Sequence, residues 1–404
     1  MKVAPVEESE RIRQLDGIRG FALLGILLVN MPSFLFPIMF LPDAGMVNTH
    51  SEIDGWIRLL FNMFVQAKFY TIFSFLFGVG FFLFMHRAES KQLPYRSLFT
   101  RRLAVLLIFG MAHFVFLWYG DILHTYALAG FLLLLFYHRQ EKTIKRWAWT
   151  LLIGMQTLSA LILTVPEDLG SMPDQSSLIQ KAINTYTNGS IIERLQFRLG
   201  YEIPVVLPFE FFVILSVFPL FLFGFLAAKR GVFARTEEFI PAIRRVWWLA
   251  LSLSVVLVPM IPLVQFGIVK FPASISVAVQ TFVTWSGLSL CAFYITSLLL
   301  LYRKESGQRI LKHLEPVGRM ALSNYLSQTI IVILVVRVGH LYGTSGLALG
   351  LVLSLVIFSA QILASRWWLA NYQFGPAEWL WRCLTYGKFV PMKRKGGLLS
   401  KTSS

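Results

Sequence analysis

Charged residues are scarce in this chain, making up 14% of its 404 residues, where a soluble domain carries about 25%. That shortage removes the ordinary means of solvating a protein surface and speaks against a soluble enzyme. Cysteine is nearly missing as well. Cys291 lies in an apolar run and Cys383 in a basic region, so neither a disulfide framework nor a thiolate cluster can be built. The G-x-S-x-G, P-loop and H-E-x-x-H patterns do not occur, nor does any Cys/His ligand spacing, which leaves no soluble-enzyme signature and no metal site. No repeat of fixed period runs through the sequence, and no A-x-A-like cleavage site follows the first apolar run. That run is expected to stay as a helix.

What is present is apolar. Hydrophobic residues account for 56% of the chain, with 36 Phe and 11 Trp, and the mean hydropathy is +0.64. Runs such as "FALLGILLV", "LLIFGMAHFVFLW" and "FFVILSVFPLFLFGFLAA" are too long and numerous for a soluble core, and several approach the roughly 20 residues a helix needs to cross a bilayer. The alternating segments of about ten residues that mark a membrane barrel are missing. The fold class expected is therefore all-α, a polytopic membrane bundle of about ten transmembrane helices. The spans fall near 19–38, 65–85, 103–119, 122–137, 148–165, 205–227, 246–266, 275–301, 319–338 and 346–364. Residues 1–364 would form one transmembrane domain and 365–404 an amphipathic, basic tail.

The 37 Lys and Arg outnumber the 21 Asp and Glu. A basic excess of this size can signal nucleic acid, but 29 of the 37 fall in the terminal segments, in the connections after alternate spans, and at Arg319 on the edge of one of them. That is the positive-inside pattern, so the partner is the lipid bilayer and not nucleic acid. Both termini are expected on the cytoplasmic side, and the hydrophilic segment 166–203 outside as a helical cap. An "NGS" triplet at 188–190 matches a glycosylation acceptor, a pattern common by chance.

Ionisable and amide side chains inside such runs are costly and mark candidate sites. In "LDGIRGFALLGILLVN", Asp16 and Arg19 are spaced to pair on one helix face, and Asn30 lies about 16 Å deeper on the same face. In "QAKFYTIFSFLFGVGF", Lys68 enters the membrane from the outer side. The stretch "GMAHFVFLWYGDILHTYALAG" holds His113, Asp121 and His124. If one helix ran through it, His113 and Asp121 would stand about 12 Å apart, too far for a direct hydrogen bond. "EPVGRMALSNYLSQT" supplies Asn324 and Gln328, four apart. Glu210 is a further acid near the outer mouth. Each of these also fits simple helix-to-helix hydrogen bonding in lipid.

The same segments, with "GPAEWLWRCLTYG" near the end, resemble the YeiB family of bacterial membrane proteins, in order over nearly the whole chain. More remotely, Arg11, Asp16, Arg19 and Gly20 resemble the opening of transmembrane acyltransferases of the heparan-glucosaminide acetyltransferase type. The resemblance implies a bacterial cytoplasmic membrane, and an acyl group passed from a cytoplasmic thioester to a sugar or similar acceptor on the far side. In those enzymes the buried histidine follows the first span, where this sequence offers only His50. His113 would take the role from another helix.

On the acyltransferase reading there is no tightly bound cofactor, and acyl-CoA is the co-substrate. Arg19, Arg102 and Arg319 would meet its phosphates, with Asp16, Asn30 and Gln328 lining the same shaft. His113 would act as base or nucleophile, Asp121 would orient the acceptor, and Asn324 or Lys68 would stabilise the oxyanion. A transporter, in which these residues line a solute or proton path, and a structural or regulatory membrane protein are the other two readings. Oligomeric state is not encoded in any pattern found.

Overall fold

A computed structural model describes residues 12–41, 51–167 and 175–394. His50 lies outside the described residues. Among them the chain is all helix, apart from one isolated bridge between Tyr372 and Lys393. The helices are α1 (Arg13–Leu35), α2 (Glu52–Phe64), α3 (Phe69–Ser90), α4 (Tyr95–Phe116), α5 (Leu123–Leu133) and α6 (Glu141–Ile162). Next come α7 (Ser176–Asn188), α8 (Ile191–Phe197), α9 (Ile203–Val206), α10 (Glu210–Lys229), α11 (Ile240–Gln265) and α12 (Ile275–Leu301). The last are α13 (Glu305–Leu311), α14 (Glu315–Arg319), α15 (Ala321–Val338), α16 (Leu347–Asn371) and α17 (Pro376–Tyr386).

Every one of the ten expected spans is occupied by a helix. Eight helical stretches among the described residues are long and apolar enough to cross a membrane. The other two expected spans fall short for different reasons. α5 has 11 residues, about 16 Å of rise, and α6 opens on the charged sequence "EKTIKRW". Large apolar side chains point outward along α11, where Val246, Leu249, Leu253 and Val256 are all exposed. Such a surface is stable only in lipid, and the chain is a multi-pass membrane protein.

α1 is the hub, touching α3, α12, α14, α15 and α16. Where helices meet, small residues let backbones approach, as expected when lipid gives no hydrophobic drive to association. A Cβ at Gly78 of α3 would stand 1.9 Å from the Phe221 carbonyl oxygen of α10. One at Gly224 of α10 would stand 1.8 Å from the Phe75 carbonyl oxygen of α3. The two helices therefore touch backbone to backbone.

Three segments add detail to this outline. α2 precedes the second span in a stretch with no span of its own, and exposes Ile53, Trp56, Leu60 and Phe64 as an apolar stripe. Its Asp54 accepts the Ala348 amide at the start of α16, at 2.8 Å. The "NGS" triplet is the turn between α7 and α8, where Ser190 and Glu193 form a reciprocal capping box. The domain boundary expected at 364 falls inside α16. Beyond it α17 packs against α4 and α15 as part of the bundle.

Replacing Gly78 by Val should force α3 from α10. We expect a loss of about 1–3 kcal/mol or more, typical of overpacking, read as a lower melting temperature of the purified protein in detergent. An unchanged melting temperature would show that the α3–α10 contact is loose.

Candidate functional site

The site is built by the reversal between α4 and α5. α4 stops at Phe116, where the amides of Leu117 and Trp118 both donate to the His113 carbonyl, each at 2.9 Å. Six residues later α5 begins, running back along α4. Gly110 makes that approach possible, because a Cβ there would lie 2.3 Å from the His124 amide nitrogen. Asp121 sits in the turn. Its Oδ2 accepts from the His124 amide and contacts His124 Nδ1, both at 2.9 Å, so the carboxylate caps α5 while fixing an imidazole.

The other carboxylate oxygen, Oδ1, lies 2.9 Å from His113 Nδ1. This corrects the separation of about 12 Å expected from a continuous helix. The helix ends before Asp121, and the turn carries the acid back to the histidine. The pair is at ion-pair distance but off the line of a good hydrogen bond, as is His124 Nε2 with Glu210 Oε2 at 3.4 Å. His113 Nε2 lies 2.9 Å from the Thr329 hydroxyl. Tyr325 donates its hydroxyl to Asp121 Oδ1 over a long 3.5 Å, and its ring centroid is 5.3 Å from that of His113. His113, Asp121 and His124 are all buried. Among the described residues, no three His, Cys, Asp or Glu side chains gather as metal ligands would.

One large cavity, of about 400 Å³, leads toward this cluster. Arg19, Arg87, Lys91, Arg102, Arg319 and Arg382 line it, with Asp16 and Glu378 as the only acids among the described residues. Its walls are apolar, including Leu23, Ile26, Phe73, Phe77, Leu103 and Leu106, and it also meets Ile122, Leu123 and Tyr325 beside the cluster. The result is a cationic mouth joined to a greasy shaft. Asp16 pairs with Arg19 at 3.0 Å, as their spacing predicts. The Arg102 guanidinium lies 3.6 Å over the Trp381 ring, and the Trp381 indole donates to the Arg102 carbonyl at 2.8 Å.

Glu378 was not among the expected site residues, because the tail reads as an interfacial helix. Its carboxylate accepts the amides of Leu322 (2.7 Å) and Ser323 (3.1 Å) and the Ser323 hydroxyl. It thereby caps α15 from another helix and neutralises the orphan donors of that terminus. Burial pushes its carboxyl above the usual carboxylate range, against the pull of these donors.

Arg19, Arg102 and Arg319 therefore meet in one cavity with Asp16, as expected. Other expected members do not join them. Lys68 is fully buried, and donates to the Asn62 carbonyl (2.7 Å), the Val283 carbonyl (3.2 Å) and the Ser286 hydroxyl (3.1 Å). It ties the α2–α3 break to α12. Asn324 donates to the Val317 carbonyl and the Ser365 hydroxyl, while Gln328 donates to Gln361. These amides form the α15–α16 seam. The neighbouring face of α15, carrying Leu322, Tyr325 and Thr329, looks to the cavity and to His113 instead. Asn30 follows Ile26 by one turn, beyond the part of α1 that lines the cavity.

Replacing Gly110 by Ala should push α5 off α4 and part Asp121 from His113. We expect a lower melting temperature in detergent and altered ring-proton signals of His113 and His124 in NMR of histidine-labelled protein. Unchanged histidine signals would mean that the turn absorbs the extra methyl.

The family profile described as "Protein of unknown function (DUF418)" matches residues 227–388. Uncharacterized protein YxaH of Bacillus subtilis is 32% identical, over 97% of this chain and 98% of its own. An uncharacterized 39.9 kDa protein in the amylase 3' region of Bacillus acidopullulyticus is also 32% identical, with the same coverage of both chains. Uncharacterized protein YeiB of Escherichia coli is 26% identical over 98% of this chain and all of its own. No solved structure matches. With similarity running from end to end and the profile reaching from the last turn of α10 past α17, the chain belongs to the YxaH/YeiB family of bacterial proteins.

Proposed function

We propose that this protein transfers an acyl group from acyl-CoA to an acceptor reaching the site from the opposite side of the membrane. The observation that carries the reading is the cavity itself, whose arginine mouth leads by an apolar shaft to Ile122, Leu123 and Tyr325, which stand between it and the buried His113–Asp121 pair. Arginine suits phosphate oxygens by bidentate, charge-assisted bonding, so Arg19, Arg102 and Arg319 would receive the nucleotide end of the donor. The thioester would lie inward, along Leu103 and Leu106. Asp121 on Nδ1 favours the His113 tautomer whose Nε2 is unprotonated, leaving that atom free to take a proton from an acceptor hydroxyl or amine. Thr329 holds the same nitrogen and would yield it to the acceptor. The remote resemblance of the first span to transmembrane acyltransferases points the same way.

The positive-inside pattern supports a cytoplasmic-membrane protein with the arginine mouth and both termini in the cytoplasm, and 166–203 outside. Cysteine labelling tests this cleanly, since both native cysteines are buried. A cysteine at exposed Asn184 should react with an impermeant maleimide on intact cells, and one at exposed Arg309 only after lysis. The reverse pattern would put the mouth outside and remove the cytoplasmic donor.

His113→Ala should keep acetyl-CoA binding but lose acyl transfer by about 100-fold or more, the range for a general base. Arg102→Gln should weaken acetyl-CoA binding about tenfold, as for one lost charged hydrogen bond of about 1.5 kcal/mol. Calorimetry on protein in nanodiscs reads the binding, and label transfer from acetyl-CoA to membrane extracts reads the reaction. A second reading, proton-linked transport, draws on the run His113–Asp121–His124–Glu210, which strings four titratable groups together. Solute uptake that depends on His113, with no acetyl-CoA binding, would decide for transport.

A further inference from the structure

A thioester donor needs two proton movements, one away from the acceptor and one onto the departing sulfur. His113 accounts for the first. The cavity lining contains one further hydroxyl that also touches the histidine–aspartate pair, and it belongs to Tyr325. Resting on the acyl-transfer reading above, we propose that Tyr325 is the acid that protonates the leaving thiolate.

The geometry gives Tyr325 both faces it needs. Its ring lines the cavity, its hydroxyl reaches Asp121 Oδ1 at 3.5 Å, and its centroid stands 5.3 Å from the His113 ring. Asp121 Oδ1 is also the oxygen that meets His113 Nδ1, at 2.9 Å. The Ile122 backbone also meets the phenol oxygen, and delivery of the proton requires the long bond to the carboxylate to give way to a sulfur in the shaft. Tyr126 also lines the cavity, but its hydroxyl donates to the Tyr70 carbonyl at 2.8 Å and meets the Ser74 hydroxyl at 2.9 Å, away from the pair. The arginines at the mouth are fixed cations and poor acids.

The proton count closes. As the acceptor oxygen bonds to the acyl carbon, its proton moves to His113 Nε2. As the carbon–sulfur bond breaks, the Tyr325 proton moves to sulfur, releasing the free thiol. The imidazolium then returns a proton from Nδ1 through Asp121 Oδ1 to the tyrosinate oxygen. His113 is left as its other neutral tautomer, and exchange with water restores the first.

Tyr325→Phe keeps the ring and removes only the acid. With acetyl-CoA, transfer should fall about 100-fold, the lower part of the range for a lost general acid, while acetyl-CoA binding stays within about threefold. With the acetyl thioester of 4-nitrothiophenol, whose thiolate leaves without help, wild type and variant should differ less than fivefold. An equal loss on both donors, or no loss on acetyl-CoA, overturns the assignment while leaving the acyl-transfer reading intact. Wild-type protein that acylates acceptor from neither donor overturns both. If the variant does not fold, a series of acetyl thioesters on wild type decides. Rates nearly independent of thiol acidity support the acid, and rates that climb steeply with it overturn it.

Discussion

One buried carboxylate holds this architecture's chemistry together. Asp121 uses one oxygen to start α5 and fix His124, and the other to meet His113 and Tyr325. A carboxylate in a bilayer is tolerated only when its oxygens are met by donors or cations, so the turn, the two histidines and the tyrosine form a single unit. The close contact at Gly110 lets that unit close. α15 completes it by bringing Tyr325 and Thr329 to the same place.

Two kinds of polar residue occur inside this bundle, and their environments separate them. Lys68, Asn324 and Gln328 end in short hydrogen bonds to carbonyls, hydroxyls and amides of neighbouring helices. They are sealed into seams. Arg19, Arg102 and Arg319 line one cavity, where the described cations outnumber the described acids Asp16 and Glu378. On the acyl-transfer reading, an excess of cations beside an apolar shaft would receive the anionic end of an amphiphilic donor. The same types of side chain thus serve packing in one place and recognition in another.

Much of this was legible in the sequence. Ten apolar runs marked ten helices, of which eight lie in stretches long and apolar enough to cross a membrane, and the basic residues between alternate runs pointed to one cationic side before any coordinates did. His113 and Asp121 stood out as ionisable residues in apolar chain. Their contact did not, because nothing before Gly120 marks the end of α4, and a helix carried through Trp118 and Tyr119 keeps them apart. Asn324 and Gln328 show a different limit. Successive helical positions turn by about 100°, so polarity locates a residue on α15 without saying which face meets the cavity. Glu378 was hidden by its neighbours, since tryptophans beside lysines fit a helix lying on the membrane surface equally well.

The docking of α17 bears on how the protein is made. Glu378 follows every long helix of the bundle in the chain, so the amides of Leu322 and Ser323 have no such cap until α17 docks. Trp381, Arg382 and Tyr386 are likewise missing from the mouth until then. The nascent chain therefore inserts its long helices with an unfinished opening, and the opening gains its final wall only when translation has passed every span. Docking of α17, the last helix in the described chain, is thus the step that closes the mouth.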